Sequence, residues 1–199
     1  MVRRSGGALL VGLIVMALQL FSQTQVATAP PKAASSATGI DLAGKAVSPL
    51  QLANGKAIVL IFVRSDCPIS NRYAPTIKAF SHQYRAKALF VLVYPDKTET
   101  AANISKHLRD YGYDLTAMRD PQHQLVKLAQ AEITPEVAVF SSQGDLLYHG
   151  RIDNWYEDFG RARPAPTTHE LQDALTAAFN GGGSIAAQPA VGCYISDLQ

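Results

Sequence analysis

Apolar residues recur along this chain in three patterns, and each predicts a different element. Ala57–Val63 (AIVLIFV) and Ala88–Tyr94 (ALFVLVY) are apolar without interruption, as strands buried on both faces of a sheet require. Glu136–Phe140 and Leu146–His149 are shorter runs joined by Ser141-Ser142-Gln143-Gly144, which predicts a hairpin. The third pattern is helical. Ile69, Tyr73, Ile77 and Phe80 share one face of a helix that opens at Cys67-Pro68 and runs to about Arg85. Thr100 to Tyr111 places Ala101, Ile104 and Leu108 on one side, with Gly112 as the C-cap. A short helix through Leu125, Val126 and Leu128 follows Asp120-Pro121. A final one buries Leu171, Ala174, Leu175 and Ala178 behind a Thr167-Thr168-His169-Glu170 capping box and stops at Asn180-Gly181. The alternation of types predicts an α/β domain with a central mixed sheet flanked by helices.

The two ends of the chain do not share this patterning. Residues 1–29 begin with Arg3 and Arg4, continue through an apolar stretch from Ala8 to Phe21 and close on Ala27-Thr28-Ala29, the order of a secretory signal peptide. The apolar stretch is shorter than the ~20 residues of a membrane span, which favours cleavage. Pro30 disfavours a cut directly after the triplet, so retention as a membrane anchor stays open. Export to a periplasmic or secreted location follows either way. Residues 30–39 are rich in Ala, Pro, Ser and Lys and predict a linker, residues 40–180 the folded domain, and residues 181–199 a tail. That tail has too little apolar density to form a core, yet carries Cys193 within Val191-Gly192-Cys193-Tyr194-Ile195, so it needs a docking site.

Composition narrows the function classes. A chain of 199 residues that is 47% hydrophobic can build one well-buried core. A formal charge of +2 without a basic run argues against nucleic acid and leaves proteins or small molecules as partners. Only two cysteines are present, Cys67 and Cys193, and an exported location lets a disulfide persist.

The local sequence carries a resemblance. Cys67-Pro68-Ile69-Ser70-Asn71-Arg72-Tyr73-Ala74-Pro75 resembles the active-site segment of the thioredoxin fold, with Cys67 at the attacking cysteine, Ser70 at the second cysteine of CxxC and Pro75 at the proline within the first helix. Thr134-Pro135 ahead of a strand is similar to the cis-proline loop of that fold. Gln143 to Asp153 resembles the hairpin of its redoxin branch, which includes alkyl hydroperoxide reductase/thiol-specific antioxidant proteins. The resemblance implies a thioredoxin-like three-layer sandwich and an exported thiol-disulfide oxidoreductase. Its partners would be protein thiols or disulfides, or a small thiol or peroxide, with an external electron donor and no cofactor. Peroxidase chemistry is less expected, because Leu60 and Arg64 stand where peroxiredoxins carry proline and a hydroxyl residue.

Within that resemblance each residue has an expected role. Cys67 is the nucleophile at a helix N-terminus, where unpaired N–H groups favour the thiolate. Arg64 adds positive potential that Asp66 opposes. Thr134 and Pro135 form a rail for an extended substrate, with Ser70 beside them. Since Ser70 supplies no thiol, Cys193 is the remaining candidate to resolve Cys67. Two alternatives stay open: a Sco-like copper-binding protein using Cys67, Cys193 and His169, and a redox-silent binding module. Trp155, Tyr156 and Phe159 are expected to anchor a long loop.

Overall fold

The two uninterrupted apolar runs form the middle of a seven-stranded sheet. This computed structural model describes residues 1–2, 37–196 and 198, so most of the expected signal segment and most of the expected linker lie outside the described residues. The chain begins with β1 (Gly39–Asp41), β2 (Ala46–Val47), α1 (Pro49–Leu52) and β3 (Ala57–Phe62). It continues through α2 (Pro68–Arg72), α3 (Ala74–Tyr84), β4 (Ala88–Tyr94), α4 (Ala101–Tyr111), β5 (Thr116–Arg119) and α5 (Gln124–Ala129). β6 (Ile133–Thr134), β7 (Glu136–Phe140), β8 (Leu146–Gly150), β9 (Tyr156–Asp158), β10 (Arg161–Ala162), α6 (Glu170–Asn180) and β11 (Cys193–Tyr194) complete it.

The sheet order is β2-β1-β5-β4-β3-β7-β8. β3, β4 and β5 are parallel, while β1, β7 and β8 join antiparallel, so the sheet is mixed. The pleat sorts an all-apolar strand into two cores. Val59 and Ile61 of β3, Leu92 and Tyr94 of β4, and Val139 of β7 pack with Ile77 of α3, Ile104 of α4 and Leu171 of α6. Leu60 and Phe62, Val91 and Val93, and Ala138 face the other way, onto Leu125 and Val126 of α5. Helices therefore cover both faces, as a sheet apolar on both sides demands.

Two local expectations are corrected. The helix expected from Cys67-Pro68 to Arg85 is two helices, α2 and α3, meeting at Tyr73. Pro75 has no N–H to return to the carbonyl four residues back, and the Tyr73 N–H is shared between the carbonyls of Ile69 and Ser70, each at 3.2 Å. The capping box does not form. α6 starts at Glu170, whose carboxylate is taken by Arg151, and Asn154 replaces the box: its Oδ1 accepts the N–H groups of Thr167 and Thr168 at 2.7 and 3.1 Å. Where the pattern agrees with local chemistry the caps form, as at Thr100, whose hydroxyl accepts the Asn103 N–H of α4.

The segment after β8 packs onto the first helix pair. Tyr73 donates to Asp153 at 2.5 Å and meets Trp155 edge-on at 5.4 Å. Trp155 and Tyr156 thus anchor this loop, whereas Phe159 is exposed. The tail docks as well. Ile185 donates to Leu147, β11 pairs with β6, and Ile195 is buried in the second core. Among the described residues, no helix is long and apolar enough to cross a membrane.

Candidate functional site

Cys67 stands where β3 ends and α2 begins. It is the N-cap of α2 in an extended conformation, with Pro68 in the first helical position where a missing N–H costs nothing. Its carbonyl receives the Asn71 N–H at 3.0 Å. The approach loop is braced from two sides: Glu99 accepts the Ser65 N–H at 2.8 Å, and the Asn71 side chain donates to the Ser65 carbonyl at 2.9 Å. Behind Asn71, at 2.8 Å, lies the ring of His107, whose other nitrogen meets the Tyr94 hydroxyl at 2.8 Å. Burial lowers the His107 pKa and favours the neutral ring, and this network fits a tautomer that donates to Asn71 and accepts from Tyr94.

The fold brings four of the expected site residues onto one point. The Cys67 thiol donates to the Thr134 carbonyl at 3.3 Å, and the Cys193 thiol donates to the Cys67 sulfur at 3.0 Å. Both cysteines are free thiols. Thr134–Pro135 is a cis peptide, and both residues are buried. β11 runs antiparallel to β6 with Cys193 opposite Thr134, and the Thr134 hydroxyl donates to the Cys193 carbonyl at 3.2 Å. Glu136 shapes this edge from behind, accepting the N–H groups of Glu132 and Ile133 at 2.9 and 3.1 Å.

The two thiols are unequal in acidity. Burial works against the Cys67 thiolate, but the Cys193 thiol and the N–H groups of Ser70 and Ile69 outweigh it, and its pKa lies below the ordinary cysteine value. For Cys193, burial and its role as donor to Cys67 push the pKa up, to about 11. Cys67 is therefore the one that carries the negative charge first. It is also completely shielded, at 0% exposure, while Cys193 is half-buried.

Other expected residues are placed differently. Arg64 pairs with Asp66 at 3.0 Å and Asp96 at 3.4 Å, and its charge favours the thiolate of Cys193. Ser70 is 1% exposed, a buried wall behind the sulfur with its N–H turned toward Cys67. His169 is exposed ahead of α6 and does not join the two thiols. Among the described residues no group of three or more His, Cys, Asp or Glu side chains is arranged to hold a metal ion. The donor trio considered for copper is thus not assembled.

Sequence reasoning overlooked Glu136, the Asn71–His107 brace and two glycines. A Cβ on Gly192 would lie 2.0 Å from the Thr134 oxygen, and one on Gly150 would lie 2.2 Å from the Gln188 oxygen. The glycine immediately before Cys193 was the available signal; nothing local marks Gly150 or His107.

A family described as thioredoxin-like matches residues 54–146, the span that holds β3, Cys67, β4 and the cis-proline edge. The fold is thioredoxin-like. Solved structures similar to this thioredoxin-like chain include an uncharacterized conserved protein from Geobacillus kaustophilus, with 20% identity and a TM-score of 0.68 over 79% of this chain and 86% of that one. A hypothetical protein from Sinorhizobium meliloti 1021 gives 21% identity and a TM-score of 0.65 over 79% and 88%. A Chlorobium tepidum protein, described as a thiol:disulfide interchange protein DsbE, gives 21% and 0.55 over 71% and 91%. At these identities the likeness is one of fold. No curated protein matches the sequence. The thioredoxin-like match ends at Leu146, and the tail with Cys193 lies beyond it.

Proposed function

We propose that this protein is an exported thiol-disulfide oxidoreductase that exchanges disulfides through the pair Cys67 and Cys193. The observation that carries this reading is the contact between two sulfurs at 3.0 Å, one with its thiolate favoured and the other with its thiol favoured. The Cys67 thiolate attacks one sulfur of a substrate disulfide, forming a mixed disulfide and expelling the other sulfur as a thiolate that takes up a proton. Cys193, once deprotonated, attacks the Cys67 sulfur, closing the Cys67–Cys193 bond and releasing the second substrate thiolate. Two electrons pass from the protein dithiol to the substrate, and an external dithiol returns them. Exchange is reversible, so the partner's potential sets its direction.

Thr134 and Pro135 supply the strand edge beside the sulfur. Arg64 assists the second step by favouring the Cys193 thiolate. The arginines and apolar stretch of residues 1–29 support export, and the DsbE description of the Chlorobium neighbour is compatible with this chemistry. The test is intact mass after isolation without reductant and alkylation under denaturing conditions. Loss of two hydrogens with no alkyl group added is expected; two alkylated sulfurs from an oxidising compartment would refute the pairing. The same spectrum reads the mature N-terminus and so tests export. In Cys193→Ser, the mixed disulfide should accumulate on Cys67.

A further inference from the structure

The backbone edge at which an extended substrate would lie along Thr134 is already occupied by the same chain. We infer that Gln188–Ile195 is a displaceable in-cis occupant of the β6 edge, and that the external partner replacing it is an extended polypeptide with glycine before its reacting cysteine and an aliphatic residue two positions after it. This rests on the reading of Cys67 as the attacking thiol.

Three observations converge. First, Cys67 is fully shielded while the tail is seated, so no external disulfide can line up with its sulfur until the tail leaves. Second, the tail is held at two separated places. Upstream, the Arg151 N–H donates to the Gln188 carbonyl at 3.0 Å, against Gly150. Downstream, β11 lies on β6 and the Ile195 N–H donates to the Glu132 carbonyl at 2.9 Å. Between these points Pro189 and Ala190 border a cavity of about 270 Å³ together with Gln188, and another of about 530 Å³ together with Val191. A two-residue strand beside such open space is the kind of segment that opens locally without global unfolding.

Third, the register specifies what else fits. A strand with its cysteine opposite Thr134 puts the preceding residue at the Gly192 position, where a Cβ would lie 2.0 Å from the Thr134 oxygen and 2.7 Å from its carbon. This glycine needs no positive φ; the demand is for space alone. The residue after the cysteine is unconstrained, as Tyr194 is 75% exposed, and the next is buried at 5% exposure as Ile195. The edge therefore accepts Gly-Cys-x-aliphatic, which the tail presents to its own sulfur.

The test uses the full chain, reduced, in a Cys193→Ser background, so that Cys67 is the only thiol. The probe is the peptide Ala-Val-Gly-Cys-Tyr-Ile with its cysteine in a mixed disulfide with thionitrobenzoate. Attack by the Cys67 thiolate on the peptide sulfur forms the new disulfide and expels the coloured thionitrobenzoate anion. Gly192→Val and Ile195→Asp each unseat the tail by a different contact, outside the central sheet. Both should raise the rate about tenfold or more, since the competent fraction rises as the occupant leaves. In both, a peptide carrying Val before Cys should react about tenfold more slowly than the Gly peptide. If neither variant changes the rate while a small aromatic disulfide oxidises Cys67 readily, the tail is no competitor and the inference falls, with the oxidoreductase reading intact. Equal rates for the two peptides would overturn the glycine requirement. A Cys67 inert toward every disulfide in all variants would overturn the oxidoreductase reading itself.

Discussion

Oxidation should make this protein markedly harder to unfold, because the bond joins residues 126 positions apart. In the chain-entropy account a loop of that length removes about 5 kcal/mol of freedom from the unfolded state. Strain in the folded state subtracts from this, and here the subtraction is modest. The tail is already seated in the dithiol form, and its sulfurs stand 3.0 Å apart, so bond formation at ~2.05 Å asks for about 1 Å of movement. Residual structure in the unfolded chain lowers the gain further, leaving roughly 3–5 kcal/mol. With a urea dependence of about 2 kcal/mol per molar, the unfolding midpoint should rise by roughly 1.5–2.5 M on oxidation. Trp155 is the only tryptophan and packs edge-on against Tyr73 beside α2, so its fluorescence reports the transition. The comparison is oxidised against reduced protein, with Cys193→Ser as the control that should show no redox dependence. A midpoint that stays put or falls on oxidation refutes the reasoning, and a shift that survives in Cys193→Ser assigns it to something other than this pair.

Three further outcomes are expected. Gly150→Ala should loosen the upstream tail attachment, since its Cβ would meet the Gln188 oxygen at 2.2 Å and its φ of +136° suits glycine; Cys67 alkylation in the Cys193→Ser background should accelerate, as followed by mass spectrometry, and an unchanged rate contradicts the account. Tyr73→Phe leaves the buried Asp153 carboxylate with one donor fewer, keeping the Trp155 N–H at 2.9 Å, and should cost about 1–3 kcal/mol in urea unfolding; no measurable loss would remove this contact from the fold's support. In thiolate absorbance titrations, Cys67 should ionise at lower pH in Cys193→Ser, which keeps a donor facing its sulfur, than in Cys193→Ala, which does not; coincident curves would show that the Cys193 donor has no part in lowering the Cys67 pKa.

The core strands and the place of Cys67 at a helix start were legible from sequence for a physical reason. A strand buried on two faces has no room for polar residues, so β3, β4 and β7 announce themselves, and β4 runs over the expected Ala88–Tyr94. Cys67-Pro68, set off from such a strand by four residues and ahead of a helical apolar period, marked a helix start, because proline suits the first helical position. What stayed hidden depends on distant partners. β6 and β11 are two residues each, with no period to detect, and exist because each completes the other. Glu170 resembled a capping carboxylate until Arg151 claimed it, and the role of Asn71 is visible only once α4 brings His107 to it. The 17 residues flanked by Ile152 and Glu170 are held by Asn154, Asp153 and Trp155 through contacts that no local pattern encodes.

Placing the second thiol in a distant tail, with serine at position 70, changes what oxidation does to the site. With a resolving cysteine three residues along the same helix, closing the disulfide leaves the strand edge open. Here Cys193 lies on the strand that occupies that edge, so a bond between Cys193 and Cys67 fixes that strand on β6. On the reading proposed above, the step that resolves the mixed disulfide also fills the substrate's place, and release of the reduced partner is driven by a segment tethered to the same chain. A tethered competitor acts at an effective concentration that an external peptide in dilute solution does not match. The oxidised protein should then have little affinity for the partner it has just reduced, and the peptide site should reappear only when an external dithiol opens the Cys67–Cys193 bond and the tail lifts.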